Sequence, residues 1–164
     1  MTDDQGKVRR INGELHHVTP VLDEDGKVVT HHVRRLHLEL STKDRVQICV
    51  GASILAIPTA FTEEVWNLGN DVSWLGTITL AIVSLGFIGL FIYFNSYKNH
   101  MKLYRTDFLN RLFSTYFFSL IVVGTLLMVV GKAPWFADFS LALKRTIIGT
   151  LPAAMSATVT DAIT

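Results

Sequence analysis

Four long apolar stretches constrain this chain more than any other feature of it, and they fall at about 46–66, 74–94, 108–130 and 145–163. A bilayer core takes about 20 apolar residues per crossing helix, and a soluble domain of this size has no need for runs such as Trp74–Phe94. Most charges lie before Arg45 or between Lys98 and Arg111. The expected fold is therefore all-α: a polytopic membrane protein with four transmembrane helices, preceded by a short polar extension over residues 1–45. The net charge of +1 says little, because the chain divides into unlike parts.

Orientation follows from the basic residues, which mark the cytoplasmic side of short loops. Lys98, Lys102, Arg105 and Arg111 lie between the second and third stretches, and Arg34, Arg35, Lys43 and Arg45 precede the first. The loop after the first stretch has no Lys or Arg; the loop after the third has Lys132, Lys144 and Arg145. Both termini are thus expected in the cytoplasm, with the protein in the cell membrane and the first span acting as its own insertion signal. Trp66, Trp74 and Trp135 suit the headgroup level. Ser73 and Asp107 are candidate caps for the second and third spans. Tyr97, Met101, Tyr104 and Phe108 recur at helical spacing beside Lys98, Lys102 and Arg105, a pattern that suits an anionic membrane surface. An extension of a neighbouring span would give the same pattern.

In the polar extension, Leu15–Leu22 and Lys27–Val33 flank the turn-prone Asp23-Glu24-Asp25-Gly26, which reads as a β-hairpin. Pro20 cannot donate to a ladder and predicts an edge strand. A lone hairpin is marginal in water, so this segment is expected to be braced by other subunits or partly disordered. His17 and His32 would face each other across such a hairpin as candidate metal ligands. Two imidazoles need further ligands for a closed site, and solvated strand histidines are the simpler account. The single cysteine, Cys49, excludes an internal disulfide and any CxxC motif.

The first and fourth spans are patterned by size. On a helix turning about 100° per residue, Arg45, Cys49, Ala52, Ala56, Ala60 and Glu63 share one face. Ile54, Ile57, Phe61 and Val65 lie opposite, and Glu64 is about a quarter-turn away. In the fourth span Thr146, Gly149, Thr150, Ala153, Ala157, Thr160 and Asp161 share a face. Pro58 and Pro152 sit on the bulky sides and are expected to kink both helices.

Small residues at such spacing let membrane helices approach closely, so the seams can be packing surfaces. Acidic groups at their ends point further, because a carboxylate in a span costs about 3 kcal/mol on insertion scales. A ring of Glu63 around an oligomer axis would select cations. Glu64 would support it, Thr59 and the alanines would line the conduit, and Thr160 and Asp161 would form an inner acidic end above Arg45. The expectation is an oligomeric cation channel or transporter, with lipid, an inorganic cation and further copies of the chain as partners. The alternative is a non-transporting scaffold or sensor assembled through the seams. Ile57-Pro58-Thr59-Ala60-Phe61-Thr62 and Leu151-Pro152-Ala153-Ala154-Met155-Ser156 are loosely alike on helices of opposite direction, as in transporters with inverted repeats.

No HExxH, no GxSxG and no nucleophile–base spacing is present. An enzyme is therefore not expected, nor a cofactor. Nucleic acid is not an expected partner either, since membrane lipid already answers the basic linker.

Pro58-Thr59-Ala60-Phe61-Thr62-Glu63-Glu64-Val65-Trp66 and Leu151-Pro152-Ala153-Ala154-Met155-Ser156-Ala157-Thr158-Val159-Thr160-Asp161-Ala162 resemble a prokaryotic family of integral membrane proteins, a domain of unknown function. The likeness covers about residues 46–164 and leaves the hairpin outside. It implies a membrane location and a prokaryotic source, and no mechanism.

Overall fold

The computed structural model describes residues 7–11, 14–23, 27–35, 40–98 and 104–163. The chain divides into two compact units, Met1–Glu39 and Leu40–Thr164.

The first unit is an antiparallel sheet in the order β1 (Lys7–Ile11), β2 (Glu14–Leu22), β3 (Val28–Arg35). The expected hairpin is β2–β3, and β1 joins it as a third strand. Pro20 consequently sits in the central strand, not an edge. It is tolerated because β1 pairs only with Glu14–Val18, so Pro20 lies beyond its end and interrupts no bond to it. A bulge between Val21 and Leu22 shifts the β2–β3 register, which pairs His17 with Arg34 and Thr19 with His32. His17 and His32 are therefore diagonal and not opposite, contrary to the simple hairpin register. The turn residues 24–26 lie outside the described residues.

The second unit is a helical bundle. Helix α1 (Thr42–Ala60) opens on a capping box: Asp44 N–H donates to Ser41 Oγ (3.2 Å) and Ser41 N–H to Asp44 Oδ2 (2.9 Å). Its end is chemical. Thr62 Oγ1 donates to the carbonyls of Pro58 and Thr59 (both 2.9 Å), and Phe61 N–H also turns back on Pro58 O. Hydroxyls and a tightened turn occupy the carbonyls that a further helical turn would use. The chain then bends by 81° into α2 (Glu63–Asp71). The straight first span expected over 46–66 is thus broken at Phe61–Thr62.

Helix α3 (Trp74–Ile92) starts with the expected cap, Gly76 N–H donating to Ser73 Oγ (3.2 Å), and runs into a π-helical turn over Tyr93–Tyr97. Helix α4 (Arg105–Val129) begins two residues before Asp107, which sits in its first turn and does not cap it. There its charge still favours the positive end of the helix dipole. At the other end Lys132 N–H bonds to Leu127 O and Gly131 N–H to Met128 O, with Gly131 at φ 72°. This closing pattern needs a left-handed residue, which is why glycine stops the helix here. Helix α5 (Phe139–Ile163) follows, with Pro152 inside it as Pro58 is inside α1.

Among the described residues two helices are long and apolar enough to cross a membrane, Trp74–Tyr97 and Arg105–Val129, and the bent α1–α2 pair makes a third if it counts as one span. Leu75, Ile82, Phe113, Phe117 and Val129 stand exposed on α3 and α4, while Thr77, Ser84, Thr115 and Ser119 face inward. This inside-out distribution suits a lipid environment, where helix contacts favour small and hydroxylated residues. Helix α5 packs against α1, α2, α3 and α4. Surrounded on those sides, it needs little lipid-facing apolar surface, which explains its lower apolarity despite its 25 residues.

Candidate functional site

The two seams predicted from residue size meet each other. The most extensive interface of the bundle is α1 on α5. Ala52, Ala56, Ala153 and Ala157 are all 0% exposed, and Ala60 is buried beside them. A Cβ added to Gly51 would lie 2.7 Å from Thr160 Cβ and 3.0 Å from Ala157 Cα. Gly149 packs as closely on α4, its notional Cβ 3.0 Å from Val123 Cγ1 and 3.6 Å from Thr59 Cγ2. The backbones of α1 and α5 therefore approach at van der Waals distance, the α5 backbone at Gly149 meets the Val123 side chain of α4, and the alanine seam of α1 is filled by α5 of the same subunit.

Other predicted site residues are dispersed. Glu63 and Glu64 are exposed in the first turn of α2, off the α1 seam, because of the 81° break. The carboxylates there favour the N-terminal end of the helix dipole. Arg45 is exposed near the start of α1. Thr59 and Thr160 are half-buried and bond back to Leu55 O (2.6 Å) and Ser156 O (2.9 Å) within their own helices. Pro58 is exposed and Pro152 half-buried. Among the described residues no group of three or more His, Cys, Asp or Glu could hold a metal ion.

Asp161, the last acidic residue of the α5 seam, proves to be one half of a buried ion pair. Arg111 of α4 donates to Asp161 Oδ2 from Nε (2.8 Å) and from Nη2 (2.6 Å), with side chains 3% and 5% exposed. Arg111 also hydrogen-bonds Tyr97, whose fully buried ring stands edge-on to Phe108 at 5.4 Å. Three helical segments are joined at one end of the bundle: the π-helical turn after α3, the first turns of α4 and the last turn of α5. A charge so placed is stable only when paired and hydrogen-bonded. Sequence reasoning assigned Arg111 to the basic linker. The available signal was its spacing from Thr115 and Ser119, at i, i+4 and i+8 on one helix face, all three buried.

The opposite end of the bundle is held by cations on carbonyls and indoles. Arg145 Nε donates to Trp66 O (3.0 Å) and its Nη1 to Lys132 O (2.7 Å), while its stem packs on Gly69. Lys132 Nζ lies 4.1 Å from the Trp66 ring centroid, Lys144 Nζ donates to Val72 O (2.7 Å), and Trp66 Nε1 donates to Ala60 O (3.0 Å). These contacts clamp α2 against α5.

Helices able to span a membrane, bulky apolar side chains outside and small or hydroxylated ones inside define the class: an integral membrane protein. A family model described as "Putative integral membrane protein (DUF2391)" matches residues 18–162, and the chain belongs to that family. The match begins inside β2, so most of the β2–β3 hairpin belongs to the family sequence and does not lie outside it. Neither a curated protein nor a solved structure matches the chain.

Proposed function

We propose that this is a non-transporting integral membrane protein that crosses the bilayer four times, through α1, α3, α4 and α5. Both termini are cytoplasmic, and the helical bundle anchors the N-terminal sheet at the inner face of the cell membrane as a scaffold or sensor. The observation that carries this reading is the closure of α1 on α5. The seam that would have to line a conduit is occupied by alanines and glycine backbone of the neighbouring helix. The four-span topology is supported by the central place of α5, which runs antiparallel to α1 and α4 and ends beside Arg111. The inward orientation is supported by the linker and tail basic residues. On the other side Lys132, Lys144 and Arg145 are committed to carbonyls and a tryptophan ring.

A second reading, a cation pathway built between copies in a homo-oligomer, is favoured by one observation. The Arg111–Asp161 pair lies inside the bundle, and charges in such places mark pathways in many membrane proteins. On that reading Glu63 and Glu64 line the outer mouth and Asp161 the inner one. Cation flux into liposomes carrying the purified chain separates the two. The non-transporting reading expects flux equal to protein-free liposomes. Robust flux that falls with Glu63→Gln or Asp161→Asn would replace it with the pathway.

A further inference from the structure

The N-terminal sheet poses a physical problem of its own. Three short strands stand at the lower limit of independent stability, and then only with one apolar face to pack. The register shows which face is the more apolar. Ile11, Val18, Pro20, Leu22, Val28 and Val33 fall on one face, together with Arg9, His16 and His31. Ile11, Leu22, Val28 and Val33 on this face are between 38% and 52% exposed. By register the other face carries Val8, Leu15 and Val21 among Arg10, His17, Thr19, Thr30, His32 and Arg34, three apolar positions against six.

Charge is distributed along the sheet as well as across it. In the sequence the acidic Asp23-Glu24-Asp25 falls between β2 and β3. Arg9, Arg10, Arg34 and Arg35 lie at the opposite end, the end from which the chain leaves β3 for α1. Residues 36–41, six in all, separate Arg35 from Thr42. By register Lys7, Arg9 and Arg35 fall on the apolar face with one acidic position, Glu14, and Arg10 and Arg34 fall on the other, so the basic character belongs to this end of the sheet on both faces.

We propose that this face of the sheet docks on the anionic headgroup layer of the membrane. The aliphatic side chains enter the interface and the basic end pairs with lipid phosphates. Juxtamembrane basic residues gain about 1 kcal/mol each near an anionic leaflet. The inference needs only the membrane location of the chain and is independent of whether the bundle transports.

The test uses the full chain in a Cys49→Ser background, reconstituted in phosphatidylcholine alone or mixed with phosphatidylglycerol. A fluorophore is placed at Val33→Cys, with Ile11→Cys as a second probe of the same face and Thr30→Cys on the other. Quenching by neutral acrylamide is expected to fall severalfold for the first two in the anionic bilayer and to change little for the third. Salt or Arg9→Glu should restore the quenching, as screening and charge reversal require. Equal quenching of Val33→Cys and Ile11→Cys in both lipids overturns the proposal. So does protection that rises with protein density at constant lipid composition, which would assign the face to a second copy.

Discussion

Asp161 and Arg111 are each almost wholly withdrawn from solvent, and each is tolerable there only because of the other. Removing one partner leaves a buried uncompensated charge, which costs about 3–5 kcal/mol. Arg111→Ala and Asp161→Asn are therefore expected to lower stability by about that amount in denaturant unfolding in mild detergent. The double replacement Arg111→Met with Asp161→Leu should recover most of the loss, since apolar pairs of similar volume often match a buried ion pair. If the double variant is as unstable as the singles, the pair has a role beyond mutual neutralisation. At this scale the sequence was half-legible. The position of Asp161 at the end of a small-residue face was readable, but its partner lies 50 residues away on another helix, and no local pattern names it. Glu63 shows the reverse case. Its place on the α1 face depended on an unbroken helix, and the Thr62 hydroxyl bonds end that helix first.

Among the elements, α5 is the organising one. It lies against α1 at Gly51 and against α4 at Gly149, so bulk at either glycine must push a helix away. Gly51→Leu and Ala56→Leu should each cost about 1–3 kcal/mol, as overpacking does, and reduce the folded fraction in size-exclusion profiles. Because the seam is closed within one subunit, that loss should appear as monomer instability and not as a change of oligomeric state. Arg145 ties α2 to the turn after α4 by two charge-assisted bonds, one to Trp66 O and one to Lys132 O, each of a kind worth about 1.5–3 kcal/mol. Arg145→Ala should free α2, red-shift the Trp66 emission and speed proteolysis near Asn67–Asp71. Arg145→Lys should rescue little, since an ammonium cannot reproduce the guanidinium fork. The seams themselves were legible from residue size alone. Their destination was not, because small faces look the same whether they meet a sister helix or another copy. The β2–β3 hairpin was legible from its turn; β1 and the bulge were not, since the one-residue phase slip of the bulge reads in the sequence only as two adjacent valines, Val28 and Val29.

Taken whole, the molecule keeps its bulky apolar side chains for the outside and its small and hydroxylated ones for the inside. It closes one end with an ion pair and the other with cations on carbonyls and indoles. Membrane character was readable from run length, whereas α5 joined the pattern only through its surroundings, its threonines and alanines being buried by four neighbours. The central claim is that no water-filled path follows the α1–α5 seam. Cysteine accessibility tests it most directly: Ala56→Cys in the Cys49→Ser background, exposed to a membrane-impermeant thiol reagent in proteoliposomes, with Glu63→Cys as the exposed reference. The account predicts that Glu63→Cys reacts readily and Ala56→Cys stays unmodified. Modification of Ala56→Cys at a rate comparable to Glu63→Cys would contradict it.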